Sequence, residues 1–479
     1  MTKKTFSSYP LDASIQRALS LLHYTNPTDI QQQVLPILLE NGMKDLIAQS
    51  QTGSGKTAAY GIPLCEMADW DENKPQALVL TPTRELAEQV RGDLTAIGRF
   101  KRLQVRALYG KQSYERQKLG LKQKNHIVVG TPGRVLDHLQ KGTLPVEKLR
   151  YVVIDEADEL FNKGFLDQVT AILDLLPTKY ETMLFSATFP PEINELINEY
   201  LHEPKVIKGE SAVELPSATS HTVMFTKRKK EQLLVDVLAH EKPENALIFC
   251  ETQDEVDRIF RAVQKEIPRS GKLHGALRQE ERFAVMDAFK SGKTRYLIAT
   301  NLAARGIDVA QMEMVIQMNV PPVAEEYVHR TGRTGRAGAK GKSLLFVSEE
   351  EADRLPEIEE AIGYPLERQS EPRLSPAVRK AFHEMKSNAH AQSDSKQAVN
   401  QGIMKLYFNG GKQKKLRAGD FVGTITSLQN ISADDIGIIT VEKTSTFIEI
   451  LNGKGRLVLE QMRKTPVKGK LLKVHQAKK

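Results

Sequence analysis

Short apolar runs ending in polar turns recur along most of the chain. Residues 45–50 (DLIAQS), 77–82 (ALVLTP), 126–132 (HIVVGTP), 151–158 (YVVIDEAD) and 182–188 (TMLFSAT) have strand length and little alternation within the run. A strand buried on both faces reads this way, and the stretches between the runs are long enough for helices. The pattern therefore predicts a parallel sheet covered by helices on both sides. After Glu210 it begins again, at 246–252 (ALIFCET), 296–301 (YLIATN), 314–319 (MVIQMN) and 343–348 (SLLFVS). ALVLTPTRE resembles ALIFCETQD, and IVVGTPGRV resembles YLIATNLAARG. Two similar α/β domains are expected, over residues 1–208 and 218–365, joined through 210–218. No shorter period is evident, which excludes a solenoid.

The segment 387–402, SNAHAQSDSKQAVNQG, has one large aliphatic residue, Val399, among small polar ones, and residues 366–403 are expected to form a flexible linker. Beyond it the pattern predicts strand 405–409, helix 421–429, strands 436–441 and 446–451, helix 456–462 and strand 470–474. That βαββαβ order is the split-βαβ arrangement of RNA-recognition modules, so residues 404–479 form a third, small domain.

Composition agrees with three domains, since 479 residues exceed what one hydrophobic core organises. With 40% hydrophobic and 27% charged residues, disordered and fibrous classes are excluded. No run is long and apolar enough for a membrane helix, and the opening MTKKTFSSYPLDASIQ lacks the apolar core of a secretory signal. Cys65 and Cys250 are too few for a disulfide framework or a zinc site and are expected as small buried side chains. A cytoplasmic protein without a membrane partner or an obligate protein partner is expected. The charge is unevenly placed: of the net +8, residues 404–479 carry +9, from 15 basic and 6 acidic side chains, and residues 1–403 carry −1. A basic module that also contains apolar runs (IGIITV, TFIEIL) should fold and should bind a polyanion.

Three segments carry chemistry. SQTGSGKT, 50–57, lies between a strand and a helix-length segment. Its Gly53, Ser54 and Gly55 would curl the backbone so that amides face phosphate oxygens at a helix N-terminus. Lys56 would neutralise the β- and γ-phosphates of a nucleotide and Thr57 would hold Mg²⁺, although a strict phosphate-binding loop has Gly where Ser50 stands. Asp155 and Glu156 end the strand YVVID, where one carboxylate can serve Mg²⁺ and its neighbour can polarise water. HRTGRTGR, 329–336, sets three arginines around two glycines, suited to stabilising a transferring phosphoryl group; a basic RNA-binding loop is the competing explanation.

Together these segments resemble the DEAD-box RNA helicases. DEAD stands at 155–158, SAT at 186–188, PTREL at 82–86, TPGR at 131–134, ARGID at 304–308, and PTDIQ at 27–31 matches the adenine-reading Q motif with Phe6 as its upstream aromatic. The resemblance covers about residues 1–350 and implies two RecA-like domains and an ATP-dependent enzyme that locally separates RNA duplexes. It implies that Gln31 reads adenine, that Lys56, Thr57 and Asp155 bind phosphate and Mg²⁺, and that Glu156 is the catalytic base. Gly306 and Asp308 would complete the ATP site, with Arg333 and Arg336 as fingers. Asp158, Ser186, Thr188 and His329 would couple hydrolysis to closure. Thr83, Arg84, Thr131, Gly133, Arg134, Arg282 and Thr300 would line an RNA backbone path, contacts that fix register without reading sequence. The chain departs from the family pattern with His23 for a Gly in the Q motif, Asn301 for Asp, Thr331 for Ile, and Tyr109-Gly110 for Gly-Gly.

The basic third domain narrows the resemblance to the bacterial DbpA/YxiN branch, its YxiN side most closely. This implies a target in 23S ribosomal RNA, a hairpin near the peptidyl-transferase centre, and a role in large-subunit assembly. KLYFNGG, 405–411, fits a first RNA-reading strand with Tyr407 placed for base stacking. KTSTFIEI, 443–450, lacks the aromatic pattern expected of the second, so core packing of Tyr407 and Phe447 and RNA binding by another surface stay open. A DNA translocase of the same ATPase class and a non-catalytic RNA clamp are the alternatives at this stage.

Overall fold

The computed structural model describes residues 5–40, 45–50, 53–208, 219–301, 312–335, 341–374, 382 and 400–477. Residues 1–208 contribute strands β1 (Leu46–Gln49), β2 (Ala77–Leu80), β3 (Val105–Leu108), β4 (Ile127–Gly130), β5 (Tyr151–Asp155), β6 (Glu181–Ser186) and β7 (Lys205–Lys208). They form one sheet in the order β3-β4-β2-β5-β6-β1-β7. The second domain supplies β8 (Thr219–Phe225), β9 (Ala246–Cys250), β10 (Ser270–Leu273), β11 (Tyr296–Thr300), β12 (Met314–Gln317), β13 (Gly341–Val347) and β14 (Glu367–Arg368), in the order β10-β11-β9-β12-β13-β8-β14. Adding seven to each strand of the first order gives the second. The two domains thus repeat one topology, as the paired runs predict, and both are RecA-like. The central strands β2, β4, β5, β9, β11 and β12 are buried along their whole length. Helices on both faces exclude water from them, which is why these sequences show no alternation.

The second domain runs past the expected boundary at 365. β14 pairs with β8, Gln369 donates its amide to the carbonyl of Val223, and Phe382 is buried in the domain's main apolar cluster with Leu374 packed against it. The stretch looks like linker by composition because its apolar residues are sparse. A few well-spaced ones suffice to finish an edge. The connection 210–218 lies outside the described residues, as does most of 387–402.

The third domain is a four-stranded sheet in the order β16-β17-β15-β18, from β15 (Met404–Phe408), β16 (Ile436–Val441), β17 (Thr446–Ile450) and β18 (Val474–Gln476), with helices Ala418–Thr426 and Gly455–Met462 on one face. The βαββαβ order is as expected, with two shifts. The first helix begins at Ala418, where the Asp420 side chain accepts from the Arg417 amide. The last strand lies at 474–476 rather than 470–474. Lys468 and Gly469 both take left-handed φ and turn the chain back on itself between Val467 and Lys470, which use up the first residues of the apolar run.

His23 shows how the chain tolerates one departure from the family pattern. The helix Ala13–Leu21 ends in a Schellman turn: His23 donates to the Ser20 carbonyl and Tyr24 to that of Leu19, with His23 at φ 60°. This is the conformation for which glycine is favoured, and the exposed imidazole adds no packing there. His23→Gly should therefore raise stability by up to about 1 kcal/mol, the left-handed penalty of a Cβ less the added freedom of glycine in the unfolded chain. Denaturant midpoints of the two proteins measure it; a lower midpoint for the variant would contradict the strain account.

Candidate ATP and RNA surfaces

The sheet order of the first domain sorts its motifs. Along the carboxyl edge, β3, β4 and β2 lead into Tyr109-Gly110, Thr131–Arg134 and Thr83-Arg84, the residues assigned to RNA. β5, β6 and β1 lead into Asp155-Glu156, Ser186–Thr188 and the 50–57 loop, those assigned to nucleotide. One half of the edge is a candidate RNA strip and the other a candidate phosphate site, adjoining between β2 and β5. The carboxyl edge is where open α/β sheets bind ligands.

On the nucleotide half, Gly53 (φ 81°) and Gly55 (φ 94°) take the left-handed turns that bring the chain from β1 into the helix Lys56–Met67. Ser50, the departure from the strict loop, shares a hydrogen bond with the Ser54 hydroxyl, so its side chain closes the loop on itself. Asp155 is buried at the end of β5, where Oδ2 accepts a 2.8 Å hydrogen bond from the hydroxyl of Tyr60. Burial first, and the Asp155 charge second, push the Tyr60 phenol far up, so it stays a donor. The helix that opens with Lys56 and Thr57 is thus tied through Tyr60 to Asp155 at the end of β5. No motif contains Tyr60; its signal is its spacing, one helical turn beyond Thr57.

Glu156 follows at φ 51°, a left-handed conformation uncommon for a side chain of its size, and it caps the helix Ala157–Asn162. The next turn is tied to β6 by a closed ring. Asp158 donates its amide to Ser186 Oγ (3.1 Å), Ser186 Oγ donates to the Thr188 carbonyl (2.6 Å), and Thr188 Oγ1 donates to Asp158 Oδ2 (3.4 Å). Gln31 lies buried on the helix Asp29–Glu40 and accepts from the Thr28 amide at 3.0 Å, while the Phe6 ring is 6.3 Å from that of Tyr24.

On the RNA half, Thr83 caps the helix Arg84–Ile97 by accepting from the Leu86 amide. A Cβ added to Gly110 would stand in ordinary contact, 3.4 Å, with the Arg84 guanidinium, so these two segments lie side by side. Thr131 begins the helix Pro132–Gln140, which carries Gly133 and Arg134. Between these segments sits Gln117, a buried residue of the helix Tyr114–Leu121 that no motif contains. Arg134 Nη1 donates to its Oε1 at 2.7 Å, and its Nε2 donates to the Tyr109 carbonyl at 3.0 Å. His138, stacked on Tyr114 at 4.3 Å, completes the group. Burial and the nearby Arg134 charge push its ring down to about 4, so it is neutral at physiological pH.

In the second domain, Arg282 lies on the helix Gln279–Lys290 and Thr300 ends β11. His329 lies in the helix Ala324–Thr331, and Arg333 is buried just beyond it. Arg330, the first arginine of HRTGRTGR, is internal: it pairs with Glu326 at 3.0 Å and lies over the Phe249 ring. Thr331, which replaces an Ile, has its hydroxyl met by Gln317 Nε2 (3.2 Å) and Ser343 Oγ (3.1 Å), so polar partners on β12 and β13 accommodate the substitution. Gly306, Asp308 and Arg336 lie outside the described residues. Cys65 and Cys250 are buried free thiols.

The third domain resolves its two aromatics. Leu406, Phe408, Ile448 and Ile450 fill the core, and the alternate positions Tyr407 and Phe447 pair directly across β15 and β17 on the other face. His475 of β18 stacks on Tyr407 at 4.5 Å, and the Lys405 ammonium lies 5.3 Å over Phe447. Core packing is therefore not their role, and three rings from three strands share the sheet face.

Comparison with known protein families finds three matches. The DEAD/DEAH box helicase model matches residues 28–196, the helicase conserved C-terminal domain 229–338, and the DbpA RNA binding domain 405–476. The chain is 51% identical over 478 residues, 99% of either chain, to the ATP-dependent RNA helicase DbpA of Bacillus subtilis. It is 39% identical over 375 residues, 78% of this chain and 80% of the other, to the DEAD-box ATP-dependent RNA helicase CshA of Geobacillus kaustophilus. Among solved structures it is similar to S. cerevisiae Dbp5 bound to RNA and ADP BeF3, with TM-score 0.70 and 28% identity over 80% of this chain and all of that one. It is also similar to Mss116p bound to single-stranded RNA and AMP-PNP, with TM-score 0.68 and 26% identity over 81% of this chain and 83% of that one. Among the described residues no helix is long and apolar enough to cross a membrane.

Proposed function

Since the chain belongs to the DEAD-box ATP-dependent RNA helicases and carries a DbpA RNA-binding domain, we propose that its third domain directs it to 23S ribosomal RNA, at a hairpin near the peptidyl-transferase centre, in cytoplasmic assembly of the large subunit. The observation that carries this reading is the ring face of Tyr407, Phe447 and His475 on the one domain whose charge is net basic. Aromatic faces stack on unpaired bases, and a basic surround supplies phosphate neutralisation. The core's candidate contacts, Thr83, Arg84, Thr131, Gly133 and Arg134 in the first domain and Arg282 and Thr300 in the second, reach backbone only, so target choice falls to the appended domain.

In the core, the amides of Gly53, Ser54 and Gly55 and the Lys56 ammonium cradle the ATP phosphates, Gln31 contacts adenine, and Gly306 and Asp308 complete the site. Mg²⁺, when bound, neutralises phosphate charge. The donors that would hold it are Thr57 and Asp155, an oxygen pair of the kind a hydrated Mg²⁺ shares with phosphates, with Asp155 oriented by Tyr60. Glu156 takes the proton of the attacking water, Arg333 and Arg336 stabilise the charge on the transferring phosphoryl group, and the Asp158–Ser186–Thr188 ring with His329 passes the change to the RNA strip.

The test compares RNA-stimulated ATPase of the full chain and of a chain ending at Gly402, each titrated with ribosomal and unrelated RNA. The truncated chain should hydrolyse ATP with either RNA at high concentration and should lose the preference for the ribosomal hairpin. Equal responses of both proteins to both RNAs would reduce the third domain to an electrostatic anchor.

A further inference from the structure

Three segments of the candidate RNA strip, Arg84, Tyr109-Gly110 and Arg134, come from three different strand ends, and nothing in their own sequences fixes one against another. Gln117 does so for two of them. All four hydrogen-bonding positions of its carboxamide are used: Nε2 donates to the Tyr109 carbonyl (3.0 Å) and to Gln112 Oε1 (3.3 Å), and Oε1 accepts from Arg134 Nη1 (2.7 Å) and meets His138 Nε2 (3.2 Å). The orientation of the amide is dictated, because a guanidinium only donates and a carbonyl only accepts; the flipped amide would set like against like at both ends. The neutral ring of His138 serves this arrangement. With its proton on Nε2 it donates to Gln117, leaving Nδ1 for the Thr143 hydroxyl at 2.8 Å, and that hydroxyl also bonds Tyr114. The same Arg134 nitrogen donates to the Gln112 carbonyl at 3.1 Å, so the guanidinium is held from two sides.

We infer that Gln117 is a positioning residue for RNA: it holds Arg134 in register with the Tyr109-Gly110 turn, beside which the Arg84 guanidinium lies. The inference rests on the reading of Arg134 as a contact to the RNA backbone. An arginine left to choose its rotamer loses side-chain freedom when it binds a phosphate, whereas one already fixed does not, so the buried amide acts by lowering the cost of ordering. Gln117 touches no nucleotide motif. Its removal should therefore change the RNA concentration the enzyme needs and leave the rate at saturating RNA largely as it was.

The experiment is RNA-stimulated ATPase of the full chain carrying Gln117→Leu, Arg134→Ala, or both, with thermal melting of each protein. Gln117→Leu should raise the half-saturating RNA concentration on the order of tenfold, the size of a lost hydrogen bond to a charged group, with kcat within about twofold. In the Arg134→Ala background it should add little, because the group it positions is gone. If Arg134→Ala raises half-saturation and Gln117→Leu does not, the positioning role is wrong and the RNA strip stands. If Arg134→Ala leaves half-saturation unchanged, the strip itself is misassigned. Effects that multiply in the double variant would show Gln117 acting independently of Arg134 and overturn the inference. Should Leu at this site unfold the domain, Gln117→Glu conserves shape and both accepted bonds but cannot donate to the Tyr109 carbonyl. It should bind Arg134 as an ion pair and raise half-saturation as well; an unchanged value in that variant rejects the role.

Discussion

Glu156→Gln is expected to keep ATP and RNA binding and to stop turnover, whereas Lys56→Ala should lose ATP binding itself. The two residues stand at the ends of different strands and are buried to the same degree, 6% exposed, but they do different work. Lys56 opens the helix after the Gly53 and Gly55 turns, and in the proposed site its ammonium offsets phosphate charge in the ground state. Glu156 is aimed by its own backbone: the left-handed φ of 51° turns its side chain away from the direction that Asp155, at the end of the strand, would otherwise dictate. Glutamine conserves the shape of that side chain and removes its charge and its basicity. A general base is worth on the order of 10² to 10⁴ in rate, and that loss should fall on kcat alone. Steady-state ATPase together with a nucleotide-binding titration separates the two variants. Near-normal turnover in Glu156→Gln would remove it from the base role.

What was legible in the sequence follows from where the information lies. The central strands of both sheets are buried on two faces, and their apolar runs announce them. The edge strands β3 (VRAL), β7 (KVIK) and β10 (SGKL) are half-exposed and short, and Arg, Lys, Ser and Gly interrupt their apolar residues. Nothing local separates such a segment from a loop; it is a strand because a neighbour offers it hydrogen bonds. The site divides in the same way. Gly53, Gly55 and Lys56 are visible because strand, turn and helix N-terminus are consecutive, so chain order alone brings them together, and Asp155 is visible because it ends an apolar strand. Tyr60 and Gln117 act through contacts 95 residues away to Asp155 and 17 away to Arg134, and only the folded sheet creates them. Thr331 is instructive in another way. Read alone it is a polar replacement in an apolar position, and its meaning lies in Gln317 and Ser343, which have no mark in the sequence. His475 is of this kind too, since the register of β18 against β15 decides that its ring meets Tyr407.

The arginines of the last helicase motif allow the second large effect to be assigned to one residue. Arg330 is engaged inside its own domain, paired with Glu326 and set over Phe249, and burial pushes its guanidinium below the usual arginine range. Arg330→Ala should therefore lower the melting temperature, removing the pair with Glu326 and the contact over Phe249. Arg333 lies three residues on, past the end of the helix Ala324–Thr331 and the Gly332 cap, so the same turn that fixes Arg330 delivers Arg333 to the end of the element. As a finger it meets charge that spreads over the phosphoryl oxygens only as the bond to the leaving group breaks. Arg333→Ala should lower kcat by a factor on the order of 10³ while ATP affinity changes little, because the interaction belongs to the transition state. Single-turnover hydrolysis with a parallel ATP titration measures both quantities, and repeating it at rising RNA concentration distinguishes the competing role. If Arg333 serves RNA, saturating RNA will restore the rate, and the residue moves from the phosphoryl site to the RNA strip. A deficit that persists at every RNA concentration leaves it as the finger.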